Sequence, residues 1–340
     1  MPHRLRVTRD PSQLAADSVT GAVTSVGVFD GVHLGHQSIL RANVERAEQL
    51  GAEPTVVTFA QHPKAVLLGH APRTLTTIEH RLALFWRAGI RHAVVLTFDE
   101  TLRDTTADEF TATILEEGLA TRAFVLGFDS KFGRGRTGGA ESLRARGHEV
   151  EVPPKVLIDQ RPISSTAIRE AVELGDLESA SRMLGRPVTI YGEVVHGEAL
   201  GRRLGFPTAN LDLFHELRPP EGVYVCRAHI VPPPSASGVP DPRERVGSHD
   251  AVANIGRRPT ITHRDAGAHR DTGPLVEVHL LDFDGDLYGQ RIELEFVSLL
   301  RGEQRFESLD ALQAAIADDV ARAREFARRR TSAGKDPSSR

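Results

Sequence analysis

Hydrophobic and polar positions alternate along the chain in two regimes. In the first, short apolar, β-branched runs are separated by stretches with helical spacing. Residues 22–29 (AVTSVGVF), 55–59 (TVVTF), 93–98 (AVVLTF) and 123–127 read as strands, and residues 35–50, 78–88 and 108–117 between them as helices. Strands alternating with helices imply βαβ units and a parallel sheet, whose ligands bind beyond the carboxyl ends of the strands. The second regime starts near Pro187. Runs at 188–195, 222–230, 250–255, 275–281 and 291–297 follow one another with turn residues but no helical pattern between them, which predicts an antiparallel barrel or sandwich. Helical spacing returns over 309–327, with Ser308 as its N-cap, and residues 331–340 read as a frayed tail. Residues 232–248 and 262–273 are polar loops. The expected domains are therefore 1–186 and 187–330.

Composition narrows the function class. The chain has 340 residues, 40% hydrophobic and 26% charged, which excludes wholesale disorder. Forty-two Lys and Arg against 46 Asp and Glu give a net charge of -4, so no global basic field draws in nucleic acid or an anionic membrane. Phosphate binding, if present, must be local. No apolar run is long enough for a membrane span, and the first residues lack a signal-peptide core, so a cytoplasmic location is expected. The single cysteine, Cys226, sits in an apolar strand run and reads as a packing residue.

Two segments carry chemistry. Residues 27–36, GVFDGVHLGH, lie at a strand end and open a helix, where unpaired N–H groups and the helix dipole favour anions. His33 and His36, three apart, suit contact with the phosphate oxygens of a nucleotide, and Gly31 and Gly35 permit close backbone approach. The spacing is neither a dinucleotide-binding fingerprint nor a Walker loop; HxGH after a first strand is the signature of HxGH nucleotidyltransferases. Residues 163–169, ISSTAIR, begin a second helix. Arg169 in its first turn opposes the helix dipole, a conflict that a polyphosphate at the same helix end would remove. His62, before Pro63, either orders its turn or touches ligand. Asp282 to Asp286, with Glu293 in twelfth position, imitates an EF-hand, but Leu287 stands where that loop needs glycine, so a strand–turn–strand is expected. His263 and His269 read as solvated.

Nine segments in order resemble the bifunctional riboflavin kinase/FAD synthetases of bacteria. They are GVFDGVHLGH (27–36), TFAQHP (58–63), GFDSKFGRGR (127–136), ISSTAIR (163–169), GRRLGFPTANL (201–211), EGVYV (221–225), ANIGRRPT (253–260), VEVHLLDFDGDLYG (276–289) and FESLDAL (306–312). The resemblance implies a Rossmann-like HxGH nucleotidyltransferase domain with a parallel sheet, followed by an antiparallel riboflavin-kinase β-barrel with a C-terminal helix. It implies that the first module adenylylates FMN with ATP, giving FAD and pyrophosphate, and that the second phosphorylates riboflavin with ATP and Mg²⁺. Implied roles are catalysis for His33, His36, Arg169 and Glu277; ATP or phosphate binding for Gly27, Phe29, Asp30, Gly35, Ser165, Thr166, Gly201, Arg202, Gly205 and Pro207; flavin binding for Asp129, Phe132 and Asn254; and metal ligation for Thr208 and Asn210. Gly201 and Gly205 are expected to form a flexible loop over the phosphates. The chain departs from the pattern at Val28, Gln61 and Ser130, where many relatives carry Asn, Pro and an aromatic residue. Two other readings stand beside this one. One module could be silent, with Ser130 pointing at the adenylylating half. A non-catalytic flavin-binding protein is the other, against which the joint presence of Thr208, Asn210 and Glu277 argues. Self-association is open.

Overall fold

The computed structural model describes residues 5–14, 21–197, 200–213, 217–231, 246–256 and 275–333. They form two compact units, the first mainly Met1–Arg169 with Met183–Gly185, the second Glu170–Arg182, Arg186–Pro233 and Arg243–Arg340. A single cut at 186/187 differs from this division over Glu170–Arg182, which groups with the second unit. Most of loop 232–248, all of loop 262–273 with His263 and His269, and residues 334–340 lie outside the described residues.

In the first unit, β1 (Arg6–Thr8), β2 (Ala22–Val26), β3 (Glu53–Phe59), β4 (His92–Leu96), β5 (Thr121–Val125) and β6 (Val150–Glu151) form one parallel sheet in the order β1-β4-β3-β2-β5-β6. All of β2 and β4 and nearly all of β3 is buried, as near-continuous Val/Thr runs require when both sheet faces are covered. One core cluster joins Val26, Val57 and Leu96 to Phe110, Leu115 and Phe132; another joins Val56 and Val95 to Leu40, Leu82 and Phe85. Those last three come from helices α1 (Leu34–Leu50) and α2 (Ile78–Arg87). Strand β2 ends at Val26 rather than at the expected 29, because Phe29 and Val32 adopt left-handed φ of 53° and 41° and turn the chain. The short edge strand β1 gives no sequence signal. It is tied in by Thr8 Oγ1 and His92 Nε2, 2.9 Å apart. Where a plain helix was expected over 108–117, a helical turn (Ala107–Phe110) widens into a π-helix (Thr111–Gly118), with Thr111 and Thr113 hydroxyls donating to the carbonyls of Ala107 and Glu109, each at 2.7 Å.

The second unit holds a closed six-stranded antiparallel barrel of β9 (Thr189–Val195), β10 (Ala209–Asp212), β11 (Gly222–Val231), β12 (Gly247–Gly256), β13 (Leu275–Leu280) and β14 (Arg291–Arg301). Strands β7 (Leu157–Ile158) and β8 (Arg161–Pro162) form a small separate hairpin that belongs to the first unit. Ile190, Cys226, Ala253, Val276, Val278 and Leu294 are fully buried, and Cys226 is indeed a packing residue. Residues between them on the strands face outward. There Val223, Val225, Val252 and Leu300 pack under Val320 and Ala323 of the last helix. That helix runs Leu309–Ala333, three residues into the expected tail, with Ser308 Oγ accepting the Ala311 N–H at 3.1 Å. The EF-hand imitation is a turn between β13 and β14, and Asp282 pairs with both guanidinium nitrogens of Arg324, at 2.7 and 3.0 Å. The architecture is the α/β domain plus β-barrel with C-terminal helix that the sequence implied.

Candidate active sites

The parallel sheet reverses its order between β2 and β5, with β3 and β4 added on one side and β6 on the other. Open α/β sheets bind ligands outside the carboxyl ends of their strands at such a point. A cavity of about 640 Å³ lies there, lined by Gly27, Phe29, Asp30, His36, Gly127, Asp129, Phe132, Ser165, Thr166 and Arg169 among others. All of these but Gly127 are candidate site residues of the sequence, and the fold brings them together across positions 27 to 169.

The HxGH segment is locally strained, with Phe29, Gly31 (φ 80°) and Val32 all left-handed. Gly31 suits this turn because L side chains rarely adopt its φ, and a Cβ there would also crowd the Leu75 side chain at 2.8 Å. His33 is the N-cap of α1, its Nδ1 accepting the His36 N–H at 3.3 Å. Its ring is buried and stacks on His36 at 3.6 Å between centroids. Of the two histidines, His36 lines the cavity and His33 stands behind it. Gly35 does not line the cavity either; a Cβ there would press on the His33 ring at 3.2 Å, so the glycine makes room for that ring. Phe29 meets the His36 ring edge-on at 5.2 Å. The Nδ1 atom of His36 is buried without a hydrogen-bond partner among the described residues. Burial, then His33 and Arg81, hold its pKa well below 6.5, so His36 is a neutral imidazole at physiological pH.

Asp30 is not a free phosphate contact. Its buried carboxylate accepts the Leu75 N–H (2.9 and 3.1 Å), the Thr76 N–H (3.1 Å), the Thr76 hydroxyl (3.2 Å) and Arg169 Nη2 (2.6 Å). Arg169 also donates from Nε to the Arg73 carbonyl at 2.8 Å. The dipole conflict at the start of α3 (Ser165–Glu173) is therefore answered by a buried carboxylate within the protein, with no need for a polyphosphate. Ser164 accepts the Ala167 N–H as the helix cap, while Ser165 donates to the Asp30 carbonyl at 3.0 Å. Asp30 accordingly positions both sequence segments against each other.

Sequence reading missed two sets of residues. Buried Arg81 donates to the carbonyls of Val28 (2.9 Å) and Phe59 (3.1 Å), clamping the turn after β2 to the end of β3; an arginine in an apolar helix face was the available signal. Lys64, Arg103, Lys131, Arg134 and Arg136 line the cavity with Arg169, so the acidic chain carries a local cationic site. His62 lines the cavity and orders its turn, Nδ1 accepting the Lys64 N–H at 3.2 Å; burial, then Arg169, lowers its pKa. Ser130 donates to the Val26 carbonyl at 2.8 Å, and Gln61 to that of Phe98 at 3.3 Å; Val28 packs on the core.

In the second unit, register assembles the site. Asn210 on β10 stands opposite Glu277 on β13, and Glu277 opposite Asn254 on β12, so the three share one face across adjacent strands. Val276 and Val278 point into the barrel, which puts Glu277 on the outer face. A cavity of about 350 Å³ opens there, lined by Glu277, Asn254, Gly201, Thr208, His279 and apolar residues including Val252, Leu312 and Ile316. A second, of about 250 Å³, is lined by Arg202, Pro207, Thr208, Phe283, Asp286 and Tyr288. Thr208 lines both. Asn210 is buried and lines neither; Gly205 is exposed and also lines neither. Gly201 and Gly205 do not form an open flexible loop: Leu200–Arg203 is a helical turn closed by Phe206 N–H to the Gly201 carbonyl at 2.8 Å. A Cβ on Gly201 would collide with the Phe206 carbonyl at 2.4 Å.

Comparison with known proteins agrees with this division. The family model for FAD synthetase matches residues 15–167 and that for riboflavin kinase residues 184–327. A protein of Pseudomonas fluorescens is 39% identical over 90% of this chain and 93% of its own, and one of Haemophilus influenzae 36% identical over 90% and 94%; both are named bifunctional riboflavin kinase/FMN adenylyltransferase. The chain belongs to the bifunctional riboflavin kinase/FMN adenylyltransferase family. The 640 Å³ cleft lies in its FAD synthetase module and the paired cavities in its riboflavin kinase module. The crystal structure of a macrolide-efflux protein from Streptococcus pneumoniae is similar over 94% of this chain and 98% of its own, with TM-score 0.75 and 29% identity. Among the described residues of this family member, no helix is long and apolar enough to cross a membrane.

Proposed function

We propose that the family's two reactions are divided so that the barrel phosphorylates riboflavin to FMN and the switch-point cleft adenylylates FMN to FAD. Thr208 carries the kinase assignment, because it alone among the proposed site residues borders both cavities of the second unit. The 350 Å³ slot, with Val252, Leu312 and Ile316 on its walls, suits a flat flavin ring; the 250 Å³ cavity, with Arg202 and Pro207, suits ATP. The phosphoryl group then crosses at Thr208. The ribityl hydroxyl is a neutral alcohol, and Glu277 takes its proton as it attacks the γ-phosphorus.

Mg²⁺ would be held by Thr208 and Asn210. Their hydroxyl and amide oxygens are the hard donors this ion takes, with substrate phosphates and water completing its shell. The donor chemistry fits, with Thr208 at the junction. Asn210 stands beside Glu277 in the row but is buried behind the cavities, so it would reach the ion only with its side chain turned outward. No cluster of three or more His, Cys, Asp or Glu among the described residues offers a rival. When bound, the ion neutralises charge on the β- and γ-phosphates.

The FMN phosphate is already an anionic nucleophile, so adenylyl transfer needs alignment and charge stabilisation rather than a base. Neutral His36, the first turn of α3 with Ser165 and Thr166, and the cationic rim stabilise charge on the leaving pyrophosphate. Arg169 stays fixed by Asp30 as it does so. Asp129 and Phe132 border the flavin side. ATP as co-substrate of both steps supports a cytoplasmic location. His36→Ala tests the division: FAD formation from FMN should collapse while riboflavin phosphorylation continues, and equal loss of both would overturn it.

A further inference from the structure

The segment carrying Thr208 is pinned from β13 by His279, a residue two positions from Glu277 and on the same outer face. His279 Nδ1 lies 2.8 Å from the Pro207 carbonyl oxygen. A carbonyl only accepts, so Nδ1 carries a proton and donates. The Phe206 ring meets the His279 ring edge-on at 5.7 Å, so the contact spans two successive residues before Thr208. From the other side, Gln313 on the last helix donates to the Leu204 carbonyl at 3.1 Å. The turn itself is closed by the Phe206 N–H and Gly201 carbonyl. The segment from 201 to 208 is thus held by its own hydrogen bonds, by the helix and by one strand side chain.

We propose that His279 is a positioning residue of the kinase reaction: its Nδ1–H fixes the Pro207 carbonyl and so holds Thr208 at the junction between the flavin slot and the nucleotide cavity. This rests on the reading of the second unit as the kinase. A base role belongs to Glu277; what His279 supplies is a single donor at one place. Releasing Pro207 leaves the flavin slot intact on the sides formed by β12 and the last helix but lets the phosphoryl crossing point move. The loss therefore falls on turnover rather than on riboflavin binding.

Asparagine and glutamine separate the two ring nitrogens, because the Asn amide reaches the position of Nδ1 and the Gln amide that of Nε2. The experiment compares riboflavin phosphorylation by the full chain carrying His279→Asn, His279→Gln or His279→Ala, with FAD formation from FMN in the same preparations as an internal standard. Displacements of about 1 Å at a reacting centre cost up to about 100-fold, so Ala and Gln should lower kcat by about 10- to 100-fold. The KM for riboflavin should change by less than about 3-fold, because His279 is one side chain at the edge of the slot and the apolar walls of Val252, Leu312 and Ile316 remain. Asn should stay within about 3-fold of the parent in kcat, the donor being retained. FAD formation should be unchanged throughout. An Asn variant as impaired as Ala, a Gln variant that outperforms Asn, or a loss confined to KM would each overturn the proposal. A chain that phosphorylates no riboflavin even with His279 in place would instead refute the kinase reading beneath it.

Discussion

Replacing Asp30 by Asn tests whether the adenylylating cleft is organised by a buried charge. The carboxylate is 3% exposed, and its partners come from loop residues Leu75 and Thr76 and from Arg169. Asn keeps the size but removes the charge and turns a nitrogen donor toward groups that are themselves donors. Removing one partner of a buried ion pair costs about 3–5 kcal/mol, because the other charge stays desolvated. The unit would lose about 6–20 °C of melting temperature, at about 2–4 °C per kcal/mol for a unit of this size. With Arg169 and the 75–76 turn released, FAD formation from FMN should also fall at least tenfold, by about 1.4 kcal/mol or more in activation free energy. Calorimetry of the full chain reads the first quantity and flavin chromatography the second, while riboflavin phosphorylation reports on the second unit. A variant that melts within about 2 °C of the parent and makes FAD at the parental rate would refute the argument, since even 1 kcal/mol should move the transition by that much.

Two further outcomes follow from the same reasoning. Gly201→Ala places a Cβ 2.4 Å from the Phe206 carbonyl and 3.0 Å from Thr208 Oγ1; riboflavin phosphorylation should drop while FAD formation from FMN persists, and parental kinase activity would show that the turn yields without cost. His92, buried against Arg6, has its pKa pushed down from 6.5 to about 3, by desolvation first and the guanidinium second. Between those values the unfolded chain binds more protons, so stability falls as pH drops through that window, by about 2 kcal/mol at pH 5. Urea midpoints of His92→Gln should show a shallower decline from pH 6.5 to 5 than the parent; equal slopes would show that His92 is not the group responsible.

Much of this molecule was legible in its sequence, and what was not has definite physical reasons. Buried parallel strands announce themselves as Val/Thr runs, and the barrel strands as β-branched runs between turns. The three-residue β1 and four-residue β10 do not, because their place is set by pairing with distant strands: β1 with β4, β10 with β9 and β13. The chemistry-bearing segments were visible as motifs, yet the roles within them were not. His33 and Gly35 share the motif with His36, but only the cap geometry shows that one histidine supports the other's ring. Asp30 has the sequence character of a ligand contact. Its burial beside Arg169, 139 positions away, is a tertiary fact. The row Asn210–Glu277–Asn254 likewise exists only through strand register.

The central claim is that one chain performs two transfers at separate sites, with Glu277 serving only the first. The most direct test incubates the Glu277→Gln protein with ATP and Mg²⁺, starting in one vessel from riboflavin and in another from FMN, and resolves the flavins by chromatography. The account predicts FAD from FMN at the parental rate and neither FMN nor FAD from riboflavin. FMN formed from riboflavin at the parental rate, or FAD synthesis lost together with the kinase, would contradict it.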